Sequence, residues 1–341
     1  MNDLYSYSEI AMYMRCPEKF KYSRMDNLEA VGHSLPREKG SWFHVLMMED
    51  LSGNDWREAH RLLWEEWDRN VRPFTLDEEL MNLPDEVERL FVSYKTKYPD
   101  DFARYKVLHV EESMSFELYP GVSIGFTPDL VVEDEYGGIW CWDHKTTANL
   151  PQEGEMLIDL QNLTYTMGLR AKYGSRFKGF VFNYTRTKVP TTPRLRKDGL
   201  IADVRRIDTT YEVLLQFAAD NGIKPYPELT EKLAWLVDHD NYFRRDYFIV
   251  PDEALVNARR DLISWVVKLR SDIEINAGGG PGGFGRVIMH RSAGVQACVK
   301  CPFYQLCQND LLGIDNAATM LDYKEREPLD REYTPIETEV E

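Results

Sequence analysis

The chain has 341 residues, of which 43% are hydrophobic and 29% are charged, and its formal net charge is −16. This composition is typical of a water-soluble globular protein, and the length suits one elaborated α/β domain. No apolar run approaches the roughly 18 residues of a membrane span, and no basic-then-apolar leader follows Met1. We therefore expect a cytoplasmic protein with reduced thiols and no membrane partner.

Helical patterns dominate the first hundred residues. Residues 1–25 are predicted to be helical with a break at Pro17, and another helix is predicted over 40–51. The charged, amphipathic segment of about 55–100 predicts a helical insertion.

Strand patterns follow over 107–118, 122–133 and 139–145, with a glycine turn between the last two. A helix is predicted over 155–173, a fourth strand over 178–184, a fifth over 200–208, and mostly helical structure to about 275. Residues 276–285 form a glycine-rich loop without the Gly-Lys-Ser/Thr of a phosphate-binding loop. We expect an α/β fold with a central mixed sheet of about four or five strands flanked by helices.

Two acidic residues and a lysine lie on the second and third predicted strands. Asp143 and Lys145 share one face of their strand, and pairing of the hairpin brings Asp129 beside Asp143. Neighbouring carboxylates are costly to bury unless a cation neutralises them, and oxygen ligands select Mg²⁺ or Mn²⁺. Lys145 would then hold a water nucleophile or balance charge on a phosphate. An exposed ion pair is the alternative at this point, because Asp-x-Lys is common.

Three further side chains are candidates for the same site. His44 lies early in a predicted helix, and a neutral imidazole is a frequent metal ligand that suits manganese. Gln161 and Tyr165 are four residues apart on one helical face, where they can engage a phosphate or a base. A structural histidine and an ordinary amphipathic helix are the alternatives.

The cysteines form a tight triplet and two distant single residues. Zinc ions and iron–sulfur clusters are usually bound by four ligands, so the three cysteines of the triplet would need a fourth. Cys16 is the candidate for this fourth ligand. Cys141 is expected to be a core residue. The triplet consists of Cys298, Cys301 and Cys307.

A basic stretch runs from 170 to 206, with eleven Lys or Arg residues against two acids. Such a stretch can hold phosphates although the whole chain is acidic; a solvated loop is the alternative. The DNA-binding candidates are Arg170, Lys172, Arg186, Lys188, Arg194 and Arg196.

The candidate residues fall, in chain order, into four motifs: Gly40-x-x-x-His44, Gly125-Phe-Thr-Pro-Asp129, Asp143-His-Lys145 and Gln161-x-x-x-Tyr165. These motifs resemble those of the RecB-like branch of the PD-(D/E)xK nucleases, over about residues 40–165. The residue before Asp129 is Pro128, whereas members of that branch often have Ile or Arg at this position. The resemblance implies a metal-dependent nuclease in which metal is bound by His44, Asp129, Asp143 and the backbone carbonyl of His144. It also implies that Lys145 assists catalysis and that Gln161 and Tyr165 engage DNA.

The cysteines resemble those of AddB nuclease domains and of the CRISPR-associated RecB-like exonucleases. There a Ser-x-Ser-x-Ile motif, here 6–10, precedes Cys-Pro-x-x-Phe, here 16–20. This resemblance implies a [4Fe–4S] cluster that joins both ends of the chain; zinc is the alternative. Its ligands would be Cys16, Cys298, Cys301 and Cys307.

These expectations divide the chain into five parts. They are an N-terminal part of the iron–sulfur subdomain (1–39), a nuclease core (40–208) with an insertion at about 52–105, a helical elaboration (209–275), the glycine-rich loop and cysteine triplet (276–321) and an acidic tail (322–341).

The resemblance implies an exonuclease acting on single-stranded DNA or duplex ends in recombination, repair or replication. We favour a stand-alone, phage-encoded enzyme in the cytoplasm of a bacterial or phage-infected cell. Because the chain has no helicase motif, unwinding would need a helicase or recombination partner. The alternative is a non-catalytic DNA-end-binding or scaffold module that works with a helicase or in CRISPR adaptation.

Overall fold

The structure, a computed structural model, describes residues 3–99, 102–152, 154–277, 289–292, 294–327 and 332–336. The strands are β1 (Asp3–Ser6), β2 (Leu28–Ala30), β3 (Lys106–Val110), β4 (Met114–Tyr119), β5 (Val122–Phe126), β6 (Leu130–Glu133), β7 (Ile139–Thr147), β8 (Phe177–Arg186), β9 (Phe243–Phe248), β10 (Tyr323–Glu325) and β11 (Thr334–Pro335). The helices are α1 (Tyr7–Arg15), α2 (Pro17–Phe20), α3 (Leu35–Leu51), α4 (Trp56–Asn70), α5 (Glu78–Met81), α6 (Leu83–Lys97), α7 (Leu160–Tyr173), α8 (Tyr211–Asp220), α9 (Pro227–Asp238), α10 (Asp252–Ala277), α11 (Val295–Val299) and α12 (Tyr304–Leu312).

A five-stranded mixed sheet, ordered β3-β6-β7-β8-β9, is the centre of the fold. The pair β7–β8 is parallel, and the other three pairs are antiparallel. A parallel pair needs a crossover, which α7 supplies, whereas a tight turn suffices between β6 and β7. A mixed α/β fold with sheets flanked by helices is therefore present.

A second sheet, ordered β1-β5-β4-β11, faces the central sheet across α7, which contacts both β4 and β8. The main core fills the space between them with residues such as Ile124, Phe126, Leu169 and Phe182, all at most 2% exposed. Because α7 is wedged between two sheets, its position is fixed from both sides, and that position sets the geometry of the side chains it carries.

The helical insertion forms a second core on the other side of the central sheet. Helices α3, α4 and α6 pack on one another around Phe43, Leu46 and Phe91, and α3 contacts β7 and β3. A third, small core lies between α8 and α9 around Leu214 and Leu236. Helix α3 is thereby pressed against the strand that carries Asp143.

Two of the strands expected from the sequence are each divided. The segment 122–133 forms β5 and β6, which belong to different sheets, because Pro128 between them removes a backbone donor. The segment 107–118 forms β3 and β4, with Glu111 at a φ of 43° between them. Asp129 consequently lies immediately before β6 and not within a strand.

The fifth strand expected over 200–208 is also wrong. That segment holds a single bridge, Leu195 to Ile201, and a 3₁₀ turn over Val204–Arg206. The fifth strand of the central sheet is β9, within the segment expected to be helical. In the acidic tail, β10 pairs with β2 and β11 pairs with β4. Residues 278–288 of the glycine-rich loop lie outside the described residues.

None of the helices in the described ranges has both the length and the apolar character needed to cross a membrane.

Candidate active site

The pairing of β6 with β7 brings two aspartates together. Leu130 pairs with Trp142, so the next residues outward in the antiparallel register are Asp129 and Asp143. The backbone N–H of His144 donates a hydrogen bond of 2.7 Å to Asp129 Oδ2. The aspartate is thus held against the end of β7 by a backbone contact that does not depend on the side chain at 144.

Helix α3 brings His44 to the same place. Its Nε2 donates a hydrogen bond of 2.6 Å to the backbone carbonyl of His144, and its Nδ1 lies 3.8 Å from Asp129 Oδ2. The imidazole is half-buried between α3 and β7. An imidazole, a carboxylate and a backbone carbonyl therefore face one point.

Glu111, which the sequence motifs do not indicate, joins the predicted ligands His44 and Asp129 in a set of possible metal ligands. Ligand atoms of His44, Glu111 and Asp129 lie within 4.8 Å of one another. Glu111 adopts the left-handed region at φ 43°, which costs about 1–3 kcal/mol for such a residue, and its N–H donates a 3.0 Å hydrogen bond to the carbonyl of Asp129. The strained backbone thus places its carboxylate at the site.

Asp143 is buried beside Lys145, at 3% exposure. The Lys145 Nζ lies 2.8 Å from Asp143 Oδ2 and 3.0 Å from Oδ1. Burial lowers the pKa of Lys145, but the nearby carboxylates of Asp143 and Asp129 outweigh burial and raise it. Lys145 is therefore a protonated donor and not a base in this arrangement.

The acidic groups fit a divalent cation. Burial raises the pKa of Asp129 well above its usual range, and the nearby negative charge of Asp143 raises it further. Both effects are those that a bound cation relieves, and an oxygen-rich set with one imidazole suits Mg²⁺ or Mn²⁺.

A buried hydrogen-bond network holds the end of β7. The Asn183 amide donates 2.8 Å hydrogen bonds to His144 Nδ1 and to the Tyr94 hydroxyl, and Arg245 Nε donates to Asn183 Oδ1 at 3.1 Å. Burial holds the pKa of His144 well below its usual range, so the ring is neutral. The hydrogen bond from Asn183 therefore fixes the His144 side chain and so helps to hold the backbone carbonyl of His144 in place.

Helix α7 begins at the site and carries the Gln/Tyr pair. Asp159 caps the helix by accepting a 2.9 Å hydrogen bond from the Gln161 N–H. Gln161 Nε2 donates to the Tyr165 hydroxyl at 3.3 Å, and Tyr165 is 9% exposed, against Phe126 and Phe180. Burial, and then the negative charge of Asp143, raises the pKa of Tyr165, so the phenol stays protonated.

A cleft of about 580 Å³ opens over these groups. His44, Glu111 and Lys145 line it together with Gly40 and Thr146. A Cβ at residue 40 would lie 3.0 Å from Thr146 Oγ1, so glycine there lets α3 approach β7 closely. The cleft is open to solvent and reaches the candidate metal ligands directly.

The model of the PD-(D/E)XK nuclease superfamily matches residues 5–308, which is most of the chain. The chain belongs to this superfamily. Membership implies a metal-dependent nuclease, in agreement with the acidic site. No curated protein matches the chain significantly.

The basic side chains of this PD-(D/E)XK nuclease are not gathered in one place. Arg170 at the end of α7 pairs with Asp252, Arg196 pairs with Asp198, and Arg186 and Lys188 share Asp208. Lys172 lies 4.0 Å from Glu112, and Arg194 is exposed. Acids from elsewhere in the chain, namely Asp252, Asp208 and Glu112, thus balance part of the charge excess of the basic stretch.

The two ends of the nuclease meet at the cysteines. Cys16, Cys298, Cys301 and Cys307 line one cavity of about 260 Å³. Arg291 Nε donates a 3.2 Å hydrogen bond to Cys307 Sγ. Cys141 lies apart from them, fully buried in the main core, where burial raises its pKa well above the usual range. Four thiols in one cavity can hold a metal group.

Proposed function

We propose that the chain is a divalent-metal-dependent deoxyribonuclease that hydrolyses phosphodiester bonds at DNA ends. The supporting observation is the convergence of an imidazole, three carboxylates and an ammonium group at one end of β7, in a chain of a nuclease superfamily. The groups belong to His44, Glu111, Asp129, Asp143 and Lys145.

The metal would be held by His44, Glu111 and Asp129, with the His144 carbonyl and Asp143 completing the set. When bound, a divalent ion lowers the pKa of a coordinated water and offsets charge on the phosphate oxygens. The backbone of these residues is fixed by the hydrogen bonds described above, so the ligands are arranged before the ion arrives.

Lys145 would orient the attacking water and balance the negative charge that develops on the phosphate. Its raised pKa supports donation of hydrogen bonds in preference to removal of a proton. Asp143 holds the ammonium group through both carboxylate oxygens and so fixes its direction.

Gln161 and Tyr165 would contact the DNA strand beside the scissile phosphate. Both side chains carry a group that can donate a hydrogen bond to a phosphate oxygen, and α7 begins at the site. The resemblance to RecB-like nucleases favours single-stranded or duplex ends as substrate, with recombination, repair or replication as the setting. A separate helicase or recombination protein would unwind duplex DNA. Exposed basic side chains such as Arg194 would contribute contacts to the phosphate backbone.

The four cysteines would hold a [4Fe–4S] cluster that joins the two parts of the iron–sulfur subdomain, 1–39 and 276–321. Among the described residues, ligand atoms of three or more His, Cys, Asp or Glu residues lie within 4.8 Å of one another at the His44 site alone. Zinc–sulfur bonds of about 2.3 Å would place tetrahedral sulfurs roughly 3.8 Å apart. No three of these thiols are that close together in the described residues, so the cysteines do not form a preassembled zinc site.

The cluster is tested by the colour and metal content of the purified protein. We expect absorbance near about 400 nm and iron with acid-labile sulfide, both lost in Cys301→Ala. A colourless protein that carries stoichiometric zinc would contradict the cluster.

The nuclease is tested with end-labelled linear DNA, single-stranded and duplex, in Mg²⁺ or Mn²⁺. We expect wild type to release label from linear DNA and to leave covalently closed circles intact. Asp143→Ala should abolish cleavage because it removes both a metal ligand and the partner of Lys145. Asp198→Asn is the matched control, since it removes an exposed acid that pairs only locally with Arg196.

If folded, cluster-loaded wild type cleaved no DNA with either ion, the proposed nuclease activity would be wrong and DNA-end binding without catalysis would be favoured. If circular and linear DNA were cleaved equally, the nuclease activity would stand but the preference for DNA ends would be wrong.

A further inference from the structure

The row of residues that contains Lys145 continues across the central sheet. Lys145 on β7 pairs with Tyr184 on β8, and Tyr184 pairs with Arg244 on β9. Paired residues of neighbouring strands point to the same face, so all three side chains lie on the face that carries Asp143. With strands about 4.8 Å apart, the backbone of Arg244 lies roughly 10 Å from that of Lys145.

Tyr184 carries a buried hydroxyl group without a partner. The residue is 2% exposed, and its hydroxyl makes no hydrogen bond within the part of the chain that the structure describes. Burial raises the pKa of this phenol, and the carboxylates of Asp246, Asp143 and Asp159 raise it further. The hydroxyl is therefore a protonated donor, and buried donors are rarely left unsatisfied.

Arg244 is held in one orientation beside this hydroxyl. Its Nη2 and Nε each lie 2.9 Å from an oxygen of Asp246, and its guanidinium lies 5.3 Å from the centre of the Tyr184 ring. The side chain is 30% exposed, and Nε, despite its closeness to Asp246, makes no well-aligned hydrogen bond within the described residues. A planar guanidinium fixed along one edge leaves the other edge for an anionic oxygen.

We propose that Tyr184 and Arg244 bind the backbone phosphate that neighbours the scissile phosphate on its β9 side. The inference rests on the proposed nuclease function and says where the DNA strand would run beyond Lys145. A phenol donor and a guanidinium edge match the oxygens of a phosphodiester. They extend the site by two strands in a direction that the motifs do not indicate.

Tyr242 provides a matched comparison. It too is fully buried, with a hydroxyl unpartnered among the described residues, and Arg186 lies 5.3 Å from its ring centre. The charges that shift its pKa are those of Asp208 and Arg186, and the catalytic aspartates are not among them. A buried tyrosine beneath an arginine therefore occurs twice, and one of the two faces the catalytic groups.

The test measures binding of a fluorescent single-stranded oligonucleotide with Ca²⁺ in place of Mg²⁺, over a range of salt concentrations, together with KM and kcat. We expect Arg244→Gln to weaken binding about tenfold and to reduce the salt slope by about 0.7, the value for one phosphate contact on a single strand. Arg244→Lys should restore most of the salt slope. Tyr184→Phe should raise KM several-fold without changing the slope, because it removes a neutral donor and keeps the ring.

Tyr242→Phe should change neither binding nor KM. An unchanged affinity and salt slope in Arg244→Gln, or an unchanged KM in Tyr184→Phe with only an ordered water at the hydroxyl, would overturn the second phosphate site. If Asp143→Ala still abolishes cleavage in that case, the nuclease function stands and the inference fails alone. If wild type cleaves nothing, the oligonucleotide titration still decides whether Arg244 binds a phosphate.

Discussion

Replacing Gly168 with alanine tests whether the position of α7 controls catalysis. A Cβ at this residue would lie 2.4 Å from Phe126 Cε1 and 3.0 Å from Phe116 Cδ1, whereas carbon atoms normally approach to about 3.5–4.0 Å. The helix or the ring must therefore move by roughly 1 Å. The same helix carries Gln161 and Tyr165, so the movement reaches the candidate site.

The expected loss of stability is small because two effects oppose each other. Overpacking of this kind costs about 1–3 kcal/mol, and replacing glycine by alanine inside a helix returns about 1 kcal/mol. The net loss is roughly 1 kcal/mol, which lowers Tm by only about 1–2 °C in a chain of this length. Activity should fall further, since a misplacement of about 1 Å can cost 10²-fold in rate.

The assay compares kcat/KM and thermal unfolding for Gly168→Ala, for Phe126→Leu and for the double variant. The smaller side chain makes room, so the double variant should recover activity relative to Gly168→Ala alone. Gly294→Ala is the control, because its Cβ would lie 3.9 Å from Ala297, an ordinary contact. Wild-type activity in Gly168→Ala, or no recovery in the double variant, would refute the wedged position of α7.

Three further predictions concern the metal groups. Glu111→Gln should weaken Mn²⁺ binding at least tenfold in calorimetry, and unchanged binding would remove Glu111 from the ligand set. Because the pKa of Asp129 is raised in the folded protein, its protonated carboxyl group stabilises the fold at low pH. This stabilisation is lost as the pH rises through the raised pKa. Metal-free protein should therefore lose Tm from mildly acidic to mildly alkaline pH, while Mg²⁺ stabilises it more at the higher pH; a Tm gain from Mg²⁺ that does not depend on pH would contradict this. Arg291→Ala removes the hydrogen bond to Cys307 and should make the reduction potential of the proposed cluster more negative in a redox titration, and an equal potential would dismiss that contact.

The sequence was sufficient for the part of the site that depends on local spacing. Asp143 and Lys145 share a strand face because of strand alternation, and the turn before Ile139 dictates a hairpin that aligns Asp129 with Asp143. Gln161 and Tyr165 follow from helical spacing in the same way, and they do contact each other. Such short-range rules need no knowledge of the tertiary structure.

The sequence did not identify Glu111, because 107–118 was interpreted as one strand. In that interpretation Glu111 is an ordinary strand residue, whereas the chain turns at this residue and the next strand belongs to another sheet. A run of Glu111-Glu112-Ser113 between two apolar segments was the available signal. Sheet assignment is a long-range property, and residue patterns within one segment do not encode it.

The strand β9 and the charge distribution were missed for a related reason. The sequence Phe243-Arg-Arg-Asp-Tyr-Phe248 alternates weakly and was included in a helical segment, although its pairing with β8 makes it an edge strand. The basic stretch seemed continuous because acids such as Asp208 and Asp252 are distant in sequence and adjacent in space. Net charge along a segment therefore overstates the charge that a ligand meets.

Anomalous diffraction from crystals grown with Mn²⁺, for wild type and for Asp129→Asn, would locate the metal directly. We predict a manganese peak in wild type bounded by His44, Glu111, Asp129 and the carbonyl of His144, with Asp143 and Lys145 beside it, and loss of that peak in the variant. A manganese peak elsewhere, or no peak at these groups in crystals of protein that cleaves DNA with Mn²⁺, would contradict it.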